Sequence, residues 1–231
     1  AAAIILPSHD LVEVFSTFGL PARAIHNFVP IERIPYRRRE QLSPRFLSNR
    51  NLEALYNVAC TVRAFQVLHE RWPKATLTIA GDGAERSRLE KLVSSLGISG
   101  AVQFVGRVSN EVMDSLYADA DVYLNSPNID NMPASIIEAF AAGVPVVSSD
   151  AGGIPFIVRD GENGLLVRVN DHEALAKAAM RLFDEGSLAL SLADAARRDC
   201  ETLFTWSAVQ AQWETAYLAI HSRTTLREGH G

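Results

Sequence analysis

D-N-M-P-A-S-I-I-E, residues Asp130 to Glu138, joins a strand-like D-V-Y-L-N-S to a helical run that opens at Pro133. Proline suits the first helical position, because the N–H it lacks would go unpaired there anyway. The backbone amides around Met132–Ser135 then point out of the helix start, where an anion can collect them. Asp130 lies just before this cluster, and Glu138 stands about one and a half turns inside the helix. Amides for phosphate and a carboxylate for sugar hydroxyls suit a nucleotide diphosphate better than a metal ion. A capped helix carrying an exposed glutamate has the same outline, so the flanks decide between the two readings.

Working outward, strand-like runs recur at Arg45–Leu47, Thr76–Ala80, Val102–Val105, Val122–Leu124, Val144–Val147 and Leu165–Val169. Helical patterns fill the gaps at Leu52–Glu70, Ala84–Leu96, Glu111–Ala118 and Pro133–Ala142. This alternation predicts an α/β fold with right-handed crossovers and a Rossmann-like, doubly wound parallel sheet. Ligands of such sheets bind beyond the carboxyl ends of the strands. By that rule Asp119-Ala120-Asp121, a D-x-D pattern able to hold a metal on a diphosphate, is a decoy, because it enters Val122–Leu124 at the strand's amino end. Gly81-Asp82-Gly83 follows Thr76–Ala80 and lies on the ligand side. A tight turn that avoids Cβ clashes explains it as well as a phosphate contact does.

Downstream of Glu138 comes A-F-A-A-G-V-P-V-V-S-S-D-A-G-G-I-P: a helix end, Gly143, a buried strand, and a turn with Gly152 and Gly153. Together these motifs resemble the nucleotide-sugar-dependent glycosyltransferases of the GT-B fold, specifically the large retaining family four. That family carries a carboxylate, a seven-residue spacer, a glutamate, a small-residue stretch with G-x-P-V-V, and a G-G loop. Asp130, Glu138, Gly143-Val144-Pro145-Val146-Val147 and Gly152-Gly153 keep that order, and the resemblance covers nearly the whole chain. It implies a nucleotide-diphosphate sugar as partner and retaining transfer with neither metal nor cofactor. Asp130 and Arg50 would be catalytic. Glu138, Asn131, Met132, Pro133, Ala134, Ser135, Arg107, Gly81 and Gly83 would bind the nucleotide sugar, Glu138 through ribose hydroxyls. Arg107 would lie near the base, either stacking on it or snorkelling past it.

Three positions depart from the family pattern. The leading acid is Asp130 where glutamate is usual, Tyr56 falls near a lysine that normally partners the arginine at Arg50, and G-G-x-x-E ends in Phe156. One cation in place of two removes a charge-assisted contact of about 1.5–3 kcal/mol. These departures keep two other readings open: a non-catalytic nucleotide-binding or scaffolding module, and a sugar-nucleotide epimerase or phosphorylase on the same fold.

GT-B enzymes have two Rossmann-like domains around a cleft, the first holding the acceptor. By that resemblance the chain is the C-terminal, donor-binding half. Residues 1–30 are the remnant of the acceptor domain, 31–44 a linker, 45–205 the nucleotide-sugar-binding domain and 206–231 a closing helix and tail. The chain alone is then expected to be inactive in transfer and to need the missing domain or a partner subunit. Trp206, Val209, Trp213, Tyr217 and Ile220 recur at helical spacing. Either this stripe packs on its own sheet, or part of it is covered by residues outside this chain.

The chain has 231 residues, 48% of them hydrophobic, enough for one substantial core. A net charge of −5 argues against nucleic acid or an anionic membrane as main partner. Arg37-Arg38-Arg39 reads as a solvated linker run, with peripheral phosphate or lipid contact as its alternative. Cys60 and Cys200 read as reduced thiols. The six histidines lack metal-binding spacing, and no G-x-S-x-G elbow appears. Asn170-Asp171-His172-Glu173 reads as a capping box. With no run of about 18 apolar residues and a short Ala1–Leu6 start, the expected location is cytoplasmic, with no membrane span.

Overall fold

The strands form where apolar runs can be buried from both faces. The structure, a computed structural model, describes residues 3–228 and the side chains as far as residue 219. Six parallel strands make the main sheet: β3 (Arg45–Asn49), β4 (Thr76–Ala80), β5 (Val102–Gly106), β6 (Val122–Asn125), β7 (Val146–Ser149) and β8 (Leu165–Val167), in the order β5-β4-β3-β6-β7-β8. Chain order reverses between β3 and β6, paired through Phe46 with Val122 and Leu47 with Tyr123. That is the switch point at which doubly wound sheets bind ligands. Residues of β6 and β7 are buried throughout, as parallel strands covered on both faces must be.

Crossover helices α2 (Val58–Arg71), α3 (Arg86–Ser95), α4 (Asn110–Asp119), α5 (Ala134–Ala141) and α6 (His172–Asp184) cover the sheet, followed by α7 (Leu188–Leu203) and α8 (Trp206–Glu228). One core layer gathers Phe46, Phe65, Leu77 and Leu175. The other gathers Tyr123, Ile137, Phe140 and Phe204. A separate two-stranded parallel sheet pairs β1 (Ile5–Leu6) with β2 (Arg23–Ala24) across α1 (His9–Thr17).

Several expectations are corrected. The predicted helix over Leu52–Glu70 is a 3-10 turn, Ala54–Tyr56, then α2, because Asn57 sits in the left-handed region at φ 44° and breaks the run. Pro133 is not the first helical residue. With ψ 116° it is the extended residue before α5, which begins at Ala134. Asp171 does cap α6 by accepting from the Ala174 amide at 2.8 Å. The reciprocal half of a capping box is missing because the third helical position is an alanine.

The arginine run is only partly solvated: Arg38 stands exposed, with Asp194 at 3.2 Å, but its neighbour is buried. Arg39 is 2% exposed and donates to the carbonyls of Tyr117 (2.6 Å), Ala120 (2.8 Å) and Ala142 (2.7 Å). Those carbonyls lie at the carboxyl ends of α4 and α5, where acceptors lack intrahelical partners and the helix dipole favours a cation. Burial and the neighbouring Arg37 lower the Arg39 pKa to about 10. Buried Asp121 is held at 2.7 Å by Arg37 and at 2.8 Å by Arg45. The second acid of D-A-D is therefore committed to guanidinium groups at the amino end of β6.

The stripe on α8 divides. Val209 and Ala216 are buried against Ile25, with Ile5 and Trp213 packed on them, so the helix leans on the small sheet and not on the main one. Trp206 and Tyr217 stand exposed, Trp206 beside Phe28 with ring centroids 5.2 Å apart. The Ile220 side chain lies outside the described residues. Both cysteines are buried and unpaired, with burial pushing their thiols up to about 11 and about 12. Among the described residues no helix is long and apolar enough to cross a membrane.

Candidate functional site

Arg50 leaves the carboxyl end of β3, and Asp130 lies in the loop after β6, so the switch point brings them together. The Arg50 Nη2 donates to Asp130 Oδ2, and its Nη1 donates to Ser135 Oγ at 3.1 Å. The guanidinium carbon lies 4.1 Å from the centre of the Tyr56 ring. Tyr56, which stands where the resemblance would place a lysine, is therefore a face on which the Arg50 guanidinium rests. Burial raises the Asp130 pKa, against the opposing pull of Arg50 and of the Asn131 amide, which donates to Oδ1 at 2.8 Å.

Glycines hold both loops in place. The Gly153 amide donates to Asp130 O at 2.9 Å, and a Cβ on Gly153 would lie 2.1 Å from Asn131 O. The paired glycines are thus required by a close backbone approach beneath the acid. Gly81, at φ 128°, packs likewise on the Arg50 carbonyl, where a Cβ would lie at 2.1 Å, and Gly83 packs on Leu52. Of the two readings for this G-x-G, the observed contacts are those of the packing one: it seats the loop that carries Arg50.

α5 supplies the rest. Among the described residues the amides of Ala134 and Ser135 have no backbone partner, as expected for the first turn of a helix. Met132 is buried, and its carbonyl and sulfur are both contacted by Asn27. Glu138, one turn in, accepts from the Tyr117 hydroxyl at 2.8 Å and lines a cleft of about 100 Å³ with Arg33, Asn110, Met113 and Asp114. Burial raises its pKa, with the Tyr117 hydrogen bond opposing. Ser135 joins the two halves: its Oγ receives Arg50, and its carbonyl lies 3.0 Å from the Tyr117 hydroxyl.

The structure therefore brings together Arg50, Asp130, Ser135 and Glu138, with Asn131 and Ala134 adjoining. Arg107 is exposed beyond the edge strand β5 and makes no hydrogen bond or ion pair with the others. Sequence reasoning missed Tyr117 and Asn49. Asn49 ends the central strand β3, a position the strand-end rule singles out, but Tyr117 carries no motif and is recognisable only once α4 is seen against α5. No group of His, Cys, Asp and Glu side chains among the described residues is arranged to hold a metal ion.

Comparison with known proteins bears on the family and the fold. A family model described as glycosyl transferases group 1 matches residues 36–199. The chain is 38% identical over 133 residues to the lipopolysaccharide core biosynthesis glycosyltransferase LpsE of Rhizobium meliloti, covering 58% of the chain and 38% of that protein. It is 28% identical over 212 residues to a Mycobacterium tuberculosis glycogen synthase, covering 91% of the chain and 51% of that protein. The chain thus spans about half or less of the length of these curated relatives. The fold matches sucrose-phosphate synthase from Thermosynechococcus elongatus at TM-score 0.85 and 24% identity, over 96% of the chain and 59% of that structure. It also matches Anabaena Alr3699/HepE in complex with UDP-glucose at TM-score 0.86 and 19% identity, over 95% and 64% respectively.

Proposed function

The chain belongs to the glycosyl transferases group 1 family, and from that premise we propose that it is the donor-binding half of a retaining, metal-independent transferase that uses a nucleotide-diphosphate sugar. The observation that carries this reading is the junction at the sheet's switch point, where Arg50, the free amides of Ala134 and Ser135, and Glu138 face one side of the strand ends. Glu138 accepts hydrogen bonds from ribose hydroxyls, the amides hold phosphate, and Arg50 offsets charge on the leaving diphosphate. Asp130 lies where the donor sugar would meet Arg50. The solved HepE relative contains UDP-glucose, which supports a nucleotide sugar as the ligand class.

In this reading residues 1–30 close an acceptor domain, 31–44 connect the two domains, 45–205 bind the donor, and 206–231 return toward the acceptor side. The exposed faces of Trp206 and Tyr217 support that return. The chain alone then transfers no sugar, and it works in the cytoplasm. A non-catalytic nucleotide-binding module is the second reading, favoured by Tyr56 in place of a lysine and by Phe156, half exposed, in place of a glutamate. Sugar transfer by the chain joined to its acceptor domain separates the two.

Thermal-shift measurements against UDP, GDP, ADP and their sugars test the ligand class. EDTA is expected to leave nucleotide affinity unchanged, because Asp121 is held by arginines and no other oxygen cluster is available among the described residues. A loss of affinity restored by Mn²⁺ or Mg²⁺ would overturn metal independence.

A further inference from the structure

Glu138 is not held by its own helix alone. Tyr117, near the end of α4, is 1% exposed, and its hydroxyl lies 2.8 Å from Glu138 Oε2 and 3.0 Å from Ser135 O. The same hydroxyl receives a hydrogen bond from Asn49 Nδ2 at 2.9 Å. A phenol has one hydrogen to donate. With Asn49 donating to the oxygen, that hydrogen goes to Glu138 Oε2, the nearer and charged acceptor, in preference to Ser135 O. Burial and the Glu138 charge raise the Tyr117 pKa well above 10, so the hydroxyl remains a donor. The carboxylate, also reached by the Asn49 side chain, borders the cleft shared with Arg33, Asn110 and Asp114.

We propose that Tyr117 is a positioning residue for the nucleotide: it pins one oxygen of Glu138 and so presents the other to the ribose hydroxyls. The inference rests on the reading of Glu138 as the ribose acceptor. Without the phenol hydroxyl, Glu138 is free to turn among its rotamers and must be ordered when ligand binds. The effect should travel through Glu138 and through nothing else. Asn49, the last residue of β3, donates to the same hydroxyl and also interacts with the Glu138 carboxylate, so it supports both members of the pair.

The test is calorimetric titration of UDP, GDP and ADP into the 231-residue chain, its Tyr117→Phe and Glu138→Ala variants, and the double variant. Tyr117→Phe keeps the buried ring and is expected to weaken binding roughly 3- to 10-fold, the scale of ordering one freed side chain when ligand binds. In the Glu138→Ala background the same change should have no further effect, and with a 2′,3′-dideoxynucleoside diphosphate the loss should vanish. A purely structural role would give a loss that persists in both. Parent affinity in Tyr117→Phe, or a loss undiminished in the double variant, overturns the proposal. Should Tyr117→Phe not fold, Asn49→Ala gives the same readout, and parent affinity there overturns it. If Glu138→Ala itself binds as tightly as the parent, the failure lies with the ribose reading and not with Tyr117.

Discussion

Replacing Arg50 with leucine is expected to destabilise the fold by about 3–5 kcal/mol, the cost of leaving one partner of a buried ion pair uncompensated. The side chains of Arg50 and Asp130 are only 10% and 11% exposed, so solvent cannot take over for either. The same change removes the donor to Ser135 Oγ and the cation over Tyr56. In a domain of this size the loss should lower the melting temperature by roughly 6–20 °C. The pH dependence has a definite sign. Burial already raises the Asp130 pKa, and removing Arg50 raises it further. A carboxyl with a raised folded-state pKa favours the fold while protonated, so the deficit is largest near pH 7 and shrinks as pH falls through that raised value. Melting curves at neutral and mildly acidic pH check this, and an Arg50→Leu protein as stable as the parent at pH 7 would show that the pair contributes nothing.

Glu138→Ala is expected to weaken nucleoside diphosphate binding roughly 10- to 150-fold, the equivalent of a charged hydrogen bond of about 1.5–3 kcal/mol. Stability should change far less than with Arg50→Leu, because Glu138 borders a cleft and its buried partner Tyr117 keeps the Ser135 carbonyl as an alternative acceptor. The carboxylate accepts ribose hydroxyls most strongly when ionised. Since burial places its pKa above the ordinary 4.5, affinity should begin to fall on acidification at a higher pH than an exposed glutamate would give. In Glu138→Ala that acid limb should disappear. Calorimetry across pH measures both effects, and equal affinity in parent and variant would remove Glu138 from the site.

The strands were legible because each is a short apolar run between turn residues, and a parallel sheet needs both of their faces buried. Thr76–Ala80 has the same bounds in sequence and structure, and the switch point follows from strand order. Arg23–Ala24 escaped notice because a two-residue strand leaves no periodicity to read. Asn57 broke the predicted long helix through its backbone conformation, and the local pattern does not encode that. The burial of Arg39 is hidden from the sequence for a different reason. Three consecutive arginines look solvated in one dimension, and only the meeting of two helix ends and Asp121 makes a buried guanidinium favourable. At the site, Asp130 and Glu138 were legible from their spacing around Pro133. Their partners were less so: Tyr56 looked like a lost lysine until its ring was seen under Arg50, and Tyr117 reaches Glu138 across 21 positions of sequence.

The central claim is that the switch point of this sheet binds a nucleoside diphosphate. Titration of UDP, GDP and ADP into the 231-residue chain in the presence of EDTA tests it most directly. The expected result is saturable, one-to-one binding of at least one of the three, weakened by Glu138→Ala. Absence of binding by all three at concentrations up to about 1 mM, where an interaction of roughly 4 kcal/mol would still be visible, would contradict it.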